Sequence, residues 1–318
     1  MTLRVLESGF FTTIQDLGRK GYQKFGVPVS GVMDTFASSA ANRLVGNLPD
    51  AAVIEISPGG ATFIAEDDCL IAVTGNGFSL SIHKNQFPFW LSIFVRANDT
   101  IRISPQRNSG WAYLAVAGGV KVPIIMESSS TYIRGKFGGF EGRVLTNEDR
   151  ILTGSAAPGW KQKAGSRFSH EYLPPYSESV TVRVIPGPQL ESFSSAGIQT
   201  FLKSPYQIIT ESDRMGYRLE GPVIEHITSA DIISEGMALG SIQVPANGQP
   251  IIMLSDRQTV GGYTKIATII LADTPLIAQC PIGSGLVRFQ TTTLEIARQS
   301  YLERISALEM GIEETEDT

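Results

Sequence analysis

Thr12-Thr-Ile-Gln-Asp-Leu-Gly-Arg19, followed by Gly21-Tyr22 and by Gly26-Val-Pro-Val-Ser-Gly-Val-Met-Asp34, is echoed two hundred residues later. The echo runs Glu211-Ser-Asp-Arg-Met-Gly-Tyr217, then Gly221-Pro222, then Ser234-Glu-Gly-Met237. Both copies hold an Asp–Arg–Gly-Tyr cluster, a Gly-(x)-Pro and a Ser-(x)-Gly-(x)-Met, with unequal gaps. A duplicated polar motif predicts two related domains, and a chain of 318 residues has room for both.

Between the two copies the chain reads as short strands. Apolar, β-branched runs recur at 53–56, 62–64, 70–73, 78–82, 91–95, 100–103 and 111–116, separated by Gly, Pro and Asn/Asp pairs. One helix is expected there, capped by Asp34 and carrying Ala37, Ala40, Ala41, Leu44 and Val45 on one stripe. Residues 154–179, rich in Gly, Ser, Pro and Lys, read as a linker. Strands return at 180–185, 206–210, 251–254, 266–271 and 286–290, with helices from Leu190 to Leu202 and from Leu294 to Met310. The expected organisation is an N-terminal domain over 1–153, the linker, a C-terminal domain over 180–308, and an acidic, disordered tail over 309–318. No alternating βαβ pattern runs through the chain, which argues for two β-barrels or sandwiches.

A net charge of −5 argues against an electrostatic nucleic-acid binder. No run of 18 apolar residues predicts a membrane span, and Met1–Gly9 has no apolar signal region. Cys69 and Cys280 have neither metal nor redox spacing, and a reduced cytoplasmic setting is expected. His83, His170 and His226 share no ligand spacing, so no metal site is expected.

Gln15, Asp16 and Arg19 put an amide, a carboxylate and a guanidinium within five residues, a set able to grip a carboxylate or amide substrate. The competing reading has Asp16 capping a turn and Arg19 pairing with it. Asp213 and Arg214 pose the same choice between a substrate contact and a salt bridge. Gln243, Asn247 and Gln249 fall in a Gly/Pro-framed loop, where side-chain amides can donate to and accept from a ureide or lactam edge. Asn247-Gly248 also suits a tight turn. Asp256 and Thr259, followed by Gly261-Gly262-Tyr263, set polar groups beside a glycine pair that could nest an anion. Gly138-Gly139 is a weaker signal of the same kind. No P-loop is present.

These residues resemble the second allophanate-hydrolase-type subunit, a family that includes KipA and the C subunit of bacterial ATP-dependent 5-oxoprolinase. They are also similar to the carboxyltransferase half of urea carboxylase. Further matching stretches are Ala40-Ala-Asn-Arg-Leu-Val-Gly-Asn47, Tyr113-Leu-Ala-Val-Ala-Gly-Gly119, Ser212–Leu219, Gly240–Pro250 and Asp256–Tyr263. The resemblance spans residues 5 to 300. It implies a mainly β fold of two tandem cyclophilin-like β-barrel domains. It also implies one component of an enzyme that opens 5-oxoproline to L-glutamate with ATP, a component inactive alone. Its expected partners are the KipI-like and the LamB/YcsF-like subunits of that enzyme. On this reading Asp16, Arg19, Asp213 and Arg214 are catalytic, and Gln15, Gln243, Gln249, Asp256, Thr259 and Tyr263 bind the substrate.

Two alternatives come with the resemblance. One is carboxyl transfer from carboxybiotin to urea or a similar amide. The biotin would then ride on another chain, since no Met-Lys-Met site is present. The other is a non-enzymatic, KipA-like regulator that binds a KipI-like inhibitor of a sensor kinase. The chain departs from the family at three places: Trp111 and Ser129 stand where Arg is usual, and Glu148 where Gly is usual.

Overall fold

The computed structural model describes residues 1–314, and the strands outnumber the helices throughout. The chain divides into two compact units. The first holds Met1–Arg19, Ser30–Pro174 and the chain from Ile305 onward; the second holds Lys20–Val29 and Pro175–Arg304.

The first unit contains β1 (Thr2–Glu7), β2 (Thr12–Gln15), β3 (Val53–Ile56), β4 (Ala61–Ala65), β5 (Cys69–Gly75) and β6 (Phe78–Ile82). It continues with β7 (Asn85–Phe87), β8 (Ser92–Val95), β9 (Thr100–Pro105), β10 (Ala112–Val116), β11 (Arg150–Leu152) and β12 (Arg167–Phe168). A six-stranded sheet runs β11-β1-β4-β9-β6-β7 and a five-stranded sheet runs β2-β3-β10-β5-β8. Alternate residues of both sheets meet in one core that includes Val5, Phe63, Leu80 and Ile103 from the first and Ile14, Ile54, Val73 and Leu114 from the second.

The five-stranded sheet is buried on its other face as well, because α1 (Thr35–Leu44) packs on β5 and β10. Asp34 caps that helix as expected, its Oδ1 accepting from the Ala37 amide at 2.9 Å, a contact worth about 1 kcal/mol.

The second unit is a closed barrel. Its strands are β13 (Ser179–Pro186), β14 (Tyr206–Ile208), β15 (Gly216–Glu220), β17 (Ser241–Gln243), β18 (Ile251–Met253), β20 (Lys265–Ile269) and β21 (Leu286–Thr291). A separate ribbon pairs β16 (Asp231–Gly236) with β19 (Val260–Tyr263). The helices are α2 (Ser195–Lys203) and α3 (Thr274–Gln279), with α4 (Leu294–Met310) belonging to this unit as far as Arg304. Helix α2 begins at Ser195 rather than Leu190, because Ser194 caps it through the Gly197 amide at 2.9 Å. None of the described helices is long and apolar enough to cross a membrane.

The mainly β expectation holds, and its boundaries shift. The stretch read as a linker carries β12, and Phe168 there is 2% exposed, in edge contact with Phe36. Up to Pro174 it groups with the first unit. The tail read as disordered from 309 is ordered through Glu314. Residues 309 and 310 close α4, and β22 (Ile312–Glu313) pairs with β12, with Glu313 on Arg167 at 2.6 Å. A short acidic segment becomes ordered once a strand edge and a cation lie opposite it. The rest of that tail lies outside the described residues.

Glu148 has φ 72°, the left-handed conformation that suits Gly, and its carboxylate meets Arg4 at 2.9 Å. The next residue closes the loop. Asp149 receives both ends of the Arg143 guanidinium at 2.6 and 2.9 Å and the Thr146 amide at 2.7 Å. Burial opposes the ionised form of Asp149, but these donors outweigh it and hold its carboxyl below the usual range. A depressed carboxyl adds stability above its unfolded pKa and loses it as pH falls through the folded value. Asp149→Asn is therefore expected to lower stability at neutral pH. The difference from the parent should shrink as pH drops below about 4, as read from urea midpoints across that range.

Candidate functional site

In the first unit the loop after β2 meets the loop 128–131. The Asp16 carboxylate is ringed by donors: the Gly18 amide at 2.8 Å, Ser128 Oγ at 2.7 Å, Ser130 Oγ at 2.5 Å and the Ser129 amide at 2.5 Å. Oδ1 takes three of these donors and Oδ2 takes only the Ser129 amide, so Asp16 organises the loop 128–131 and keeps acceptor capacity on Oδ2. Ser129, at a position where Arg is usual, contributes through its backbone.

Arg19 is fully buried. Its Nη2 donates to the Ser130 carbonyl, and its guanidinium lies 4.9 Å from the centre of the Phe137 ring. So Asp16 and Arg19 meet through Ser130, which both of them bond. Gly138 and Gly139 are required here by close approach: a Cβ on Gly138 would lie 2.1 Å from the Ser130 carbonyl oxygen, and one on Gly139 1.8 Å from Thr131 Oγ1. That close packing accounts for the glycine pair. Phe137, Gly138 and Gly139 line a groove of about 520 Å³ with Lys121, Lys136 and Arg150.

Gln15 is 1% exposed, and its Nε2 donates to Thr13 Oγ1 and the Thr131 carbonyl at 3.0 and 3.2 Å. It borders a buried polar row that sequence reading missed. Thr13, Glu55, Tyr113 and Thr74 are paired in register across β2, β3, β10 and β5, all fully buried. Glu55 accepts from the Met33 amide at 2.7 Å, Tyr113 from the Asp34 amide at 2.8 Å, and Thr74 donates to the Ala37 carbonyl at 2.7 Å. The row ties the sheet to the 30–37 segment. Its available signal was a single charge in Val53-Ile-Glu-Ile56.

In the second unit the expected residues are brought together in pairs, Arg214 with Asp256 and Gln243 with Tyr263, while Asp213 turns to its own loop. Asp213 Oδ1 accepts from the amides of Met215 and Gly216 at 2.8 and 3.3 Å, closing the turn before β15. Arg214 pairs with Asp256, at 2.9 and 3.1 Å, both buried. The bidentate partner of Arg214 is thus 42 residues away. Gln249 brackets Gly221, accepting from its amide at 2.9 Å and donating to its carbonyl at 3.0 Å. That is the work of an internal clamp. Gln249 and Tyr263 also line an open cleft of about 820 Å³ with Thr210, Glu211 and Arg218.

Gln243 lies at the end of β17 rather than in a loop. It is 1% exposed, and its Nε2 donates to the Tyr263 carbonyl at 3.3 Å. Thr259 offers its carbonyl to the Met237 amide at 3.0 Å. Gly261 and Gly262 belong to β19 and lack the positive φ of a nest. The expected anion nest is therefore an extended strand, and these glycines do not form a phosphate cradle.

Two buried cations here also escaped sequence reading. Lys265 Nζ reaches Glu235 at 2.8 Å. Arg257 donates from Nε to the Met237 carbonyl at 3.1 Å and from Nη1 to the Leu254 carbonyl at 3.2 Å. Burial pulls the Arg257 pKa down to about 10. No cluster of three metal-ligating side chains occurs among the described residues.

Residues 25–291 match the carboxyltransferase domain, subdomain A and B. The chain belongs to that family. It is 36% identical to the 5-oxoprolinase C subunit of Escherichia coli over 317 residues, which cover 96% of this chain and 97% of that one. It is 34% identical to the 5-oxoprolinase C subunit of Haemophilus influenzae, covering 90% and 89%. The crystal structure of Kluyveromyces lactis urea carboxylase superposes with a TM-score of 0.91 at 26% identity, covering all of this chain and 30% of that enzyme. The carboxyltransferase fold is thus shared along the whole chain, which spans under a third of the urea enzyme's length. Trp111, expected from the resemblance to stand at an Arg position, is 4% exposed and stands edge-on to Phe11, 6.4 Å between centres.

Proposed function

We propose that this chain is one component of an ATP-dependent 5-oxoprolinase, which opens 5-oxoproline to L-glutamate. The observation that carries the reading is the near end-to-end match to the 5-oxoprolinase C subunit at 36% identity. A carboxyltransferase fold suits the chemistry. Urea and a lactam both present a planar N–C=O group, and either reaction needs that group held while negative charge develops on oxygen.

ATP would supply the phosphoryl group that makes the lactam carbonyl electrophilic. We assign its binding to the KipI-like and LamB/YcsF-like partner subunits. This chain's own part is to bind and orient. Arg19, buried on Ser130 and Phe137, is a fixed cation that backs the loop 128–131. Arg214, locked on Asp256, is fixed in the same way.

Carboxyl transfer from carboxybiotin is the second reading, favoured by the urea carboxylase superposition. The experiment is co-expression with the KipI-like and LamB/YcsF-like subunits. The complex should co-elute on size-exclusion chromatography and consume ATP only when 5-oxoproline is added, and the isolated chain should turn over neither 5-oxoproline nor urea. In that complex Arg19→Ala should lower kcat/KM by about 10-fold or more, the loss expected of one charge-assisted contact. Glutamate release by the isolated chain, or biotin-dependent carboxylation of urea by the complex, would overturn the reading.

A further inference from the structure

The described residues include three buried cations in the second unit, and two of them have carboxylates: Arg214 has Asp256 and Lys265 has Glu235. Arg257 is the exception. It is 7% exposed, and its only partners are the neutral carbonyls of Met237 and Leu254. Burial alone accounts for its lowered pKa, with no charged neighbour contributing. A guanidinium with that pKa is still protonated at neutral pH, and a buried charge without a counter-ion is costly.

The two carbonyls hold the group by Nε and by one hydrogen of Nη1. Both hydrogens of Nη2 and one of Nη1 are left over, enough donors for the two oxygens of a carboxylate. A side-chain amide lies beside it: Gln23 Nε2 donates at 3.3 Å to the same Met237 oxygen that Arg257 uses. A fixed guanidinium beside an amide that can both donate and accept fits an organic acid whose carboxylate adjoins an N–C=O group.

We propose that Arg257 is an anion-binding residue of the second unit, and that it receives the carboxylate of the lactam acid. The identity of that acid rests on the 5-oxoprolinase reading; the anion site rests on the geometry of Arg257.

The test has one arm for each. In the first, thermal unfolding of the full chain is followed with sodium acetate or 5-oxoproline against sodium chloride at equal ionic strength. Both carboxylates should raise the melting temperature of the parent and leave Arg257→Met unmoved. An equal rise in the variant would overturn the proposal. The Nε–H spectrum of the arginines serves if Arg257→Met fails to fold. The resonance assigned to Arg257 by its loss in Arg257→Lys should shift when acetate is added to the parent, and a resonance that stays put counts against the site.

In the second arm the assembled complex is assayed with 5-oxoproline and with 2-pyrrolidinone, the same lactam without its carboxylate. Arg257→Met should raise KM for 5-oxoproline by about 10- to 100-fold and abolish discrimination between the two. Unchanged discrimination would overturn the assignment. A complex inactive on 5-oxoproline, with the acetate response intact, would remove the 5-oxoprolinase reading and leave the anion site standing.

Discussion

Replacing Arg214 with methionine is expected to destabilise the chain by about 3–5 kcal/mol. The reason is the partner left behind. Asp256 is 7% exposed and takes both of its contacts in the Arg214–Asp256 pair from one guanidinium, at 2.9 and 3.1 Å. Removing the cation strands a carboxylate where water does not reach it. Asp256→Leu alone should also cost stability, by taking from the buried Arg214 the carboxylate that pairs with it. The double variant Arg214→Met/Asp256→Leu should recover much of the loss, because an apolar pair of similar volume has no charge to desolvate. Urea unfolding followed by far-UV circular dichroism gives all three values. Single variants within about 1 kcal/mol of the parent would show that the pair is not buried as described.

Asp16→Asn is the second large effect, at about 2–4 kcal/mol. Asparagine keeps the shape and one acceptor oxygen. Its NH2 group, however, would face donors now bound to Asp16, either the Ser129 amide or the Ser128 and Ser130 hydroxyls with the Gly18 amide. Either flip leaves donors opposed. Because Ser130 also receives Arg19, the loop and the cation should loosen together. Hydrogen exchange at residues 128–130 is expected to speed up in Asp16→Asn before global unfolding. Protected amides there, with only a general loss of stability, would show that the loop does not depend on Asp16.

Strand and helix positions were legible because they follow from local pattern. The runs at 53–56 and 78–82 are recovered as β3 and β6, and Asp34 caps α1 where Met33-Asp-Thr-Phe places it. Several of the strands passed over are polar or glycine-bearing, among them Thr12–Gln15, Gly216–Glu220, Asp231–Gly236 and Val260–Tyr263. Their apolar alternation is weak, and it is pairing with a neighbour that makes them strands.

The motif Gln15–Arg19 was likewise legible as special, but not what it does. Sequence could place a carboxylate and a guanidinium three residues apart, at Asp16 and Arg19. It could not show that serines 112–114 residues away would enclose the first, or that a carbonyl of the same loop would take the second.

The class of fold, the duplication of the polar motif and the kinship of the chain needed nothing beyond the order of residues, because all three are written in local periodicity and in long motifs. Which charges are partnered was decided by the tertiary structure alone. Arg214 belongs to Asp256 rather than to its neighbour Asp213, and Arg257, with the same chemistry, has two carbonyls and no carboxylate. Whether a charge is compensated depends on what the fold brings within about 4 Å of it after burial has removed water, and spacing along the chain does not encode that distance.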